Sequence, residues 1–449
     1  MATIPLATDE SGERRLTPAE AFAHAVAAVA ELGVEADLAP VLDGSPGTWR
    51  CVLRRDGEDI RTGLGLGKGS RDEARTGALF ESLEHFLSGL HGLRSEEIRP
   101  VPAHRLAAGP LAADLPVSLL GEAPDGPVGC LPYRSLTGGP DLSVPVFLSM
   151  PDYLGEAGRA LRRRSGDTYD YRTVCRYSVN NGWAAGTEPV EATVHAINEL
   201  IERDALSLLL AGQFLRPWPE RLALVDPGSL PVPLAGLLAF ATTATGGPVH
   251  LIDMTTDLDV PAYMAYLPAP VGRPARVCGW GASLSRRYAI TRALTELVQL
   301  HCTIPLREQF AHLLPARRDD TGPCAQLHAC YLSDFTAGLP GAEVRRFEDT
   351  EAPATPAGHL ERLVSVLRES GLGVLRREHY VTEHLAVVNV LVPGLERFML
   401  VTDGHLVVPG DRGMAVIRGG THHDARDGRT TGSGRPRPSS RNTVRQHRS

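Results

Sequence analysis

Three stretches of this sequence repeat one arrangement of acidic and apolar residues. They span residues 78–85, 196–203 and 293–300. Each begins with alanine and an aliphatic residue, carries a glutamate at its fourth position and has a glutamate or glutamine at its seventh. Side chains three positions apart share one face of a helix, so each stretch predicts a helix that presents two stacked polar side chains. The pairs are Glu81 with Glu84, Glu199 with Glu202, and Glu296 with Gln299.

Two stacked carboxylates repel each other unless a cation neutralises them. Leu79 and Leu83 mark another face of the first helix as its core side, which places the acids on a partly buried face. Carboxylate oxygens suit Mg²⁺, which usually keeps some waters and bridges carboxylates to substrate phosphates. One Glu-x-x-Glu pair on a helix is usually a solvated surface. Three copies, each preceded by a segment rich in glycine or small residues, favour a metal site.

Basic residues and glycines near these helices indicate phosphate binding. Arg203 follows Glu202, and Lys68 lies in the glycine-rich segment 63–69, which is predicted to be a turn before the first helix. Backbone N–H groups at such a turn bind phosphate well. The segment lacks the P-loop pattern, because glycine stands where serine or threonine belongs, and it lacks Gly-x-Gly-x-x-Gly. A nucleotide site outside the Walker and Rossmann classes is predicted.

The remaining pattern places these residues on helices and strands of a globular chain. Residues 1–60 are predicted to form an N-terminal helix and strands, and 61–423 the main catalytic domain, within which 98–170 is loop-rich and a candidate insert. An Arg/Pro/Gly/Ser-rich tail over 424–449 is predicted to be disordered. Helices are predicted over 18–32, 71–91, 190–210, 288–302 and 356–370, and strands over 176–179, 374–378 and 385–392.

Composition excludes several classes of protein. The chain has 449 residues and a net charge of −7, which does not favour nucleic-acid binding. No apolar run reaches the roughly 20 residues of a membrane helix, and no signal-peptide core is evident near the N-terminus. We therefore expect a cytoplasmic protein that binds neither membrane nor nucleic acid. Seven scattered cysteines without a Cys-x-x-Cys pair predict neither disulfides nor a zinc site.

These motifs resemble the YcaO family. The resemblance covers about residues 13–415 and rests on the segments 67–69, 78–84, 181–186, 191–205, 292–299 and 392–396. It implies an α/β fold with mixed β-sheets flanked by helices, in which three acid-bearing helices line one ATP cleft. It implies ATP and Mg²⁺ as cofactors. It assigns the metal to Glu81, Glu84, Glu199, Glu202 and Glu296, and the nucleotide to Lys68, Glu191, Arg203 and Arg292.

Four positions depart from the residues usual in the family. Gly77 stands where serine is common, His85 and His301 stand where arginine is usual, and Thr187 replaces a common asparagine. These changes weaken expected phosphate contacts and leave the acids intact. We interpret His85 as a hydrogen-bonded helix histidine rather than as a base near phosphate. The sequence identifies no catalytic residue.

The resemblance implies ATP-dependent O-phosphorylation of a peptide backbone amide, giving an azoline, a thioamide or an amidine, with cyclodehydration favoured. The substrate would be a ribosomally synthesised precursor peptide. No leader-binding domain is evident, so a separate leader-binding or TfuA-like partner protein is expected. Two alternatives stay open: a catalytically lapsed scaffold that binds the precursor peptide or a partner, and an ATP-dependent ligase of the acyl-phosphate type.

Overall fold

The computed structural model describes residues 12–269, 277–313 and 319–419. The predicted tail over 424–449 lies outside these residues. Among the helices described, none combines the length and the apolar composition that crossing a bilayer would need.

The helices agree closely with the sequence pattern. Residues Thr17 and Glu20 form the capping box that begins α1, and Ser70 and Glu73 form another that begins α2. The α-helices are α1 (Pro18–Glu31), α2 (Arg71–Leu87), α3 (Ala103–Ala107), α4 (Leu115–Ser118), α5 (Arg159–Ser165), α6 (Pro189–Leu210), α7 (Val232–Thr245), α8 (Arg286–Thr303), α9 (Leu306–Gln309), α10 (Ala325–Leu332), α11 (Pro356–Glu369) and α12 (Asp411–Ile417).

The strands form three sheets. They are β1 (Glu35–Leu42), β2 (Gly47–Arg55), β3 (Glu58–Gly69), β4 (Arg99–Pro102), β5 (Pro127–Ser135), β6 (Leu142–Pro145), β7 (Trp183–Gly186), β8 (Ala223–Val225), β9 (His250–Asp253), β10 (Ala262–Tyr266), β11 (Cys278–Ala282), β12 (Glu343–Arg345), β13 (Leu375–Val381) and β14 (Ala386–Leu391). Their orders are β1-β2-β3, β11-β10-β9-β8-β12 and β4-β5-β13-β14-β7, with β6 paired to β5. Only the β8–β12 pairing is parallel among the strand pairs described.

Each acid-bearing helix follows a strand at the edge of one of the three sheets. An edge strand of the sheet leads directly into the helix: β3 into α2, β7 into α6, and β11 into α8. Each helix then packs back on the strand that precedes it. This repeated strand–helix unit explains why the three acid stretches have similar preceding segments.

The glycines before α2 belong to strand β3, so the predicted turn over 63–69 is wrong. Gly65 and Gly67 face α2, and a Cβ atom at Gly67 would lie 1.7 Å from the carbonyl oxygen of Ala74. Gly279 and Gly281 of β11 meet α8 at similarly short distances. The glycines therefore let a strand and its helix approach at backbone distance, which no larger residue permits.

The segment 98–170 contributes β4, β5 and β6 to the six-stranded sheet, where β5 pairs with β13. Leu79 and Leu83 of α2 are fully buried and pack in the same apolar cluster as residues of this segment, which confirms the predicted core side of the helix. The strand predicted over 176–179 is wrong, because Cys175–Tyr177 form a 3₁₀ turn. Helix α2 ends at Leu87, four residues before the predicted end.

Candidate nucleotide and metal site

A cavity of about 540 Å³ lies among α2, α6 and α8. All nine residues predicted to bind metal or nucleotide line it, although they come from segments more than 200 positions apart in the chain. They are Lys68, Glu81, Glu84, Glu191, Glu199, Glu202, Arg203, Arg292 and Glu296. The structure thus brings together the complete predicted set.

The three helices present their side chains to the cavity in the same register. On each helix, four of the lining residues are spaced four, four and three positions apart, which keeps one face of the helix toward the cavity over about 16 Å. We group these residues into four rows by their position along each helix. The first row is Glu73, Glu191 and Tyr288, the second Gly77, His195 and Arg292, the third Glu81, Glu199 and Glu296, and the fourth Glu84, Glu202 and Gln299.

An ion pair joins the first sheet to the third acid-bearing helix across the cavity. The Lys68 ammonium of β3 contacts a carboxylate oxygen of Glu296 in α8, and both side chains are mostly buried. Burial lowers the pKa of Lys68, and the charge of Glu296 opposes that change. On α2, Glu81 accepts the backbone N–H of Leu66 at 3.2 Å. Two of the third-row acids, Glu81 and Glu296, are therefore held in place by groups of strand β3.

The fourth row has the most strongly perturbed carboxylates. Burial raises the pKa of Glu84 well above its ordinary value, and the charges of Glu199 and Glu81 raise it further. Burial, reinforced by Glu296, raises the pKa of Glu202 to about 7. Glu84 also accepts the backbone N–H of Ala185 at 3.1 Å. Crowding of this kind favours the protonated form of the acids, and a bound cation would favour the carboxylates.

Arg203 fixes the loop that precedes β7. Its Nη1 donates to the carbonyl oxygen of Asn180 at 2.9 Å and to Oδ1 of Asn181 at 2.7 Å, and it lies 3.1 Å from Glu199 Oε1. The backbone N–H of Gly182 also points to Glu199, at 3.4 Å. The Arg203 guanidinium therefore connects Glu199, a third-row acid, to the loop that precedes β7.

Glu191 is 4% exposed and is held by protein groups at both carboxylate oxygens. One oxygen accepts from the backbone N–H and the hydroxyl of Thr187, at 2.9 Å and 2.7 Å. The other faces the N-terminal segment, with the backbone N–H of Arg15 at 3.4 Å and Nη1 of Arg14 at 3.9 Å. Thr187, one of the four departures from the family's usual residues, thus orients Glu191.

His85 also behaves as the sequence suggested. Its Nδ1 lies 2.7 Å from the carbonyl oxygen of Leu64, which satisfies one ring nitrogen with the backbone. The interpretation of His85 as a hydrogen-bonded helix histidine is confirmed. The other ring nitrogen lies 3.9 Å from Glu81.

Several lining residues were missed from the sequence. Glu73, His195 and Tyr288 precede the predicted acids by one or two helical turns, so extending the same helical face by four and eight positions would have found them. Arg14 also lines the cavity, but it lies in the segment before α1, and no periodicity connects that segment to the acid-bearing helices.

The donor set fits a Mg²⁺–nucleotide rather than a metal bound by protein alone. In the described parts of the chain, no group of three or more His, Cys, Asp or Glu side chains lies close enough to hold a metal ion by itself. Carboxylates from three helices instead face a cavity that is also lined by Lys68 and Arg292. The Nε of Arg292 is buried without a hydrogen-bond partner, which leaves a donor unsatisfied beside the cavity. Mg²⁺ is usually held by one or two carboxylates plus phosphates and water.

Comparison with known proteins gives the family. The profile described as "YcaO cyclodehydratase, ATP- and Mg²⁺-binding" matches residues 66–396. The chain belongs to the YcaO family. Membership confirms the predicted family, the predicted α/β fold class with mixed sheets, and the prediction of ATP and Mg²⁺ as cofactors.

The chain is also similar to individual proteins. An uncharacterized protein in the tfuA 3′ region of Rhizobium leguminosarum bv. trifolii is 30% identical over 54% of this chain and 57% of its own length. A YcaO protein from Methanopyrus kandleri, solved with AMPPCP and Mg²⁺, has a TM-score of 0.60 and 19% identity, over 88% of this chain and 95% of that one.

A heterocyclase solved with substrate and cofactor has a TM-score of 0.59 and 20% identity, over 88% of this chain and 55% of that one. At these identities the likeness between structures shows the fold. This YcaO chain matches little more than half the length of the Rhizobium protein and of the heterocyclase.

Proposed function

We propose that this YcaO protein uses ATP and Mg²⁺ to phosphorylate the oxygen of a peptide backbone amide. Cyclodehydration, which forms an azoline from a Cys, Ser or Thr side chain, is the favoured outcome, with thioamide and amidine formation as the other members of the class. The substrate is a ribosomally synthesised precursor peptide, and the protein acts in the cytoplasm. The Rhizobium relative is encoded in the tfuA 3′ region, and this location supports a TfuA-like or leader-binding partner.

One observation carries the proposal. Carboxylates of three separate helices and the cations Lys68, Arg203 and Arg292 line a single cavity. We assign the metal to Glu81, Glu84, Glu199, Glu202 and Glu296, and the nucleotide to Lys68, Glu191, Arg203 and Arg292. A solvated acidic surface would not place Glu202 where burial raises its pKa to about 7.

The residues of this chain would position the reactants and balance charge. Bound with Mg²⁺, ATP supplies the phosphoryl group that turns an amide oxygen into a leaving group. Lys68 and Arg292 lie near enough to Glu202 and Glu296 to offset their charge, so a triphosphate would meet cations beside the acids. Arg203 keeps the loop at Asn180 and Asn181 in a fixed position at the same cavity. Preorganised charges of this kind stabilise phosphoryl transfer without reorganisation.

The test follows the substrate oxygen. A precursor peptide encoded near the gene is prepared with ¹⁸O in its backbone carbonyls and incubated with the protein, Mg²⁺, ATP and the partner protein. O-phosphorylation predicts ¹⁸O in the released phosphate, together with loss of one water from the peptide if the product is an azoline. Phosphate without ¹⁸O would contradict the proposed activation, and joining of two substrates would indicate a ligase.

A catalytically lapsed scaffold is the second candidate function. The observation that favours it is Gly77, which lines the cavity without a side chain to contact phosphate. Binding of the precursor peptide by a wild-type protein that releases no phosphate from ATP would establish the scaffold. Peptide-dependent phosphate release would exclude it.

A further inference from the structure

The second row contains a histidine, His195, that is not among the residues assigned to metal or nucleotide. His195 lies on α6 one turn after Glu191 and one turn before Glu199, and it lines the cavity. Its ring forms no hydrogen bond to any residue that the structure describes, and neither ring nitrogen is sealed in the protein interior. By contrast, His85 in the same cavity is bonded to the backbone. The His195 ring is therefore available to a ligand.

Burial and the neighbouring positive charges favour the neutral form of the His195 ring. Burial lowers its pKa well below the ordinary value, and the positive charges of Arg292, Arg14 and Lys68 lower it further. A neutral imidazole has one N–H donor and one acceptor nitrogen. It can therefore donate one hydrogen bond without adding a fourth positive charge to this part of the cavity.

The position of the ring within the cavity suggests its ligand. The acids assigned to Mg²⁺ occupy the third and fourth rows, Arg292 shares the second row with His195, and Lys68 lies near enough to lower the pKa of the ring. Phosphate oxygens bridge metal ions and cations in such sites. We propose that a ring N–H of His195 donates a hydrogen bond to a phosphate oxygen of the bound nucleoside triphosphate, near Lys68 and Arg292. This assignment rests on the proposed use of the cavity as a nucleotide site.

Binding measurements with the full-length chain test the assignment without requiring turnover. The affinity for Mg²⁺–AMPPNP is measured by calorimetry for wild type, His195→Ala, His195→Gln and the matched control His104→Ala. His104 is exposed on α3, outside the cavity, where it pairs with Asp125. Loss of one hydrogen bond to a charged oxygen predicts about tenfold weaker binding for His195→Ala. His195→Gln keeps a neutral donor and should stay within about threefold of wild type, whereas His104→Ala should match wild type.

A second ligand separates phosphate contact from a general effect on the cavity. Adenosine, measured by competition with a fluorescent nucleotide, should bind wild type and His195→Ala equally well. The assignment is overturned if His195→Ala binds Mg²⁺–AMPPNP like wild type, if adenosine weakens by the same factor, or if His195→Gln loses as much as His195→Ala. If the wild type itself binds no Mg²⁺–AMPPNP, the proposed function fails and not this assignment alone. Circular dichroism and melting curves of both variants confirm that they are folded.

Discussion

Replacing Glu202 with glutamine should raise the stability of the metal-free protein while abolishing its ATP turnover. Burial and the charge of Glu296 raise the pKa of Glu202 to about 7, so the folded state favours the protonated carboxyl. That preference contributes stability below the ordinary pKa of a glutamate and is lost as the pH rises through 7. Glutamine resembles the protonated acid and keeps the stabilising form at every pH.

The expected gain in stability follows from the raised pKa of Glu202. The rise in the pKa of Glu202 from 4.5 to about 7 corresponds to about 3 kcal/mol, and partial exposure of the side chain to the cavity reduces this to roughly 1–2 kcal/mol at pH 8. For a chain of this length, we expect Tm to rise by about 1–4 °C. The same substitution removes one of the carboxylates assigned to Mg²⁺, so turnover of ATP with the peptide present should fall to background.

Melting curves at pH 8 in EDTA, and again with Mg²⁺–AMPPNP, measure both effects. The wild type should gain stability from Mg²⁺–AMPPNP, and Glu202→Gln should gain little or none. Glu58→Gln is the matched control, since Glu58 is exposed at the start of β3 and outside the cavity; its melting and turnover should match wild type. A lower Tm of Glu202→Gln in EDTA, or normal turnover, would refute the reasoning.

Three further predictions use other parts of the structure. Because the pKa of Glu202 is raised to about 7, binding of Mg²⁺–AMPPNP should tighten from pH 6 to pH 8 and release protons, as calorimetry in buffers of different ionisation enthalpy will show; a pH-independent affinity would contradict this. Gly67→Ala places a methyl group against the carbonyl of Ala74 and should lower stability by about 3 kcal/mol or more in urea unfolding, and an unchanged midpoint would contradict the packing. Arg412→Met leaves the fully buried Asp204 without its bidentate partner and should lower the free energy of unfolding by about 3–5 kcal/mol in the same measurement. A variant as stable as wild type would contradict this prediction.

The sequence predicted which side chains line the cavity better than it predicted the segments around them. Helical spacing alone placed Glu81 with Glu84 and Glu199 with Glu202, because the side-chain period of a helix is local information. That these pairs meet in one cavity followed from the family resemblance, since the pairing of strands far apart in the chain cannot be deduced from local patterns.

Two errors have the same physical origin. The sequence predicts a turn at Gly65 and Gly67, yet both belong to a strand, because they pair with β2 and pack closely on α2, and both contacts are tertiary. The strand predicted over 176–179 is a 3₁₀ turn that precedes the loop at Asn180 and Asn181. Both segments depend on packing against distant residues, which local propensity does not record.

The central claim is that carboxylates from α2, α6 and α8 hold the metal ions of a bound nucleotide. The most direct test is a crystal structure of the protein with AMPPNP and Mn²⁺, with the metal located by anomalous scattering. The account predicts metal ions coordinated by phosphate oxygens and by glutamates from at least two of these helices. Nucleotide bound outside the cavity, or metal ions coordinated by phosphate and water without any of these glutamates, would contradict it.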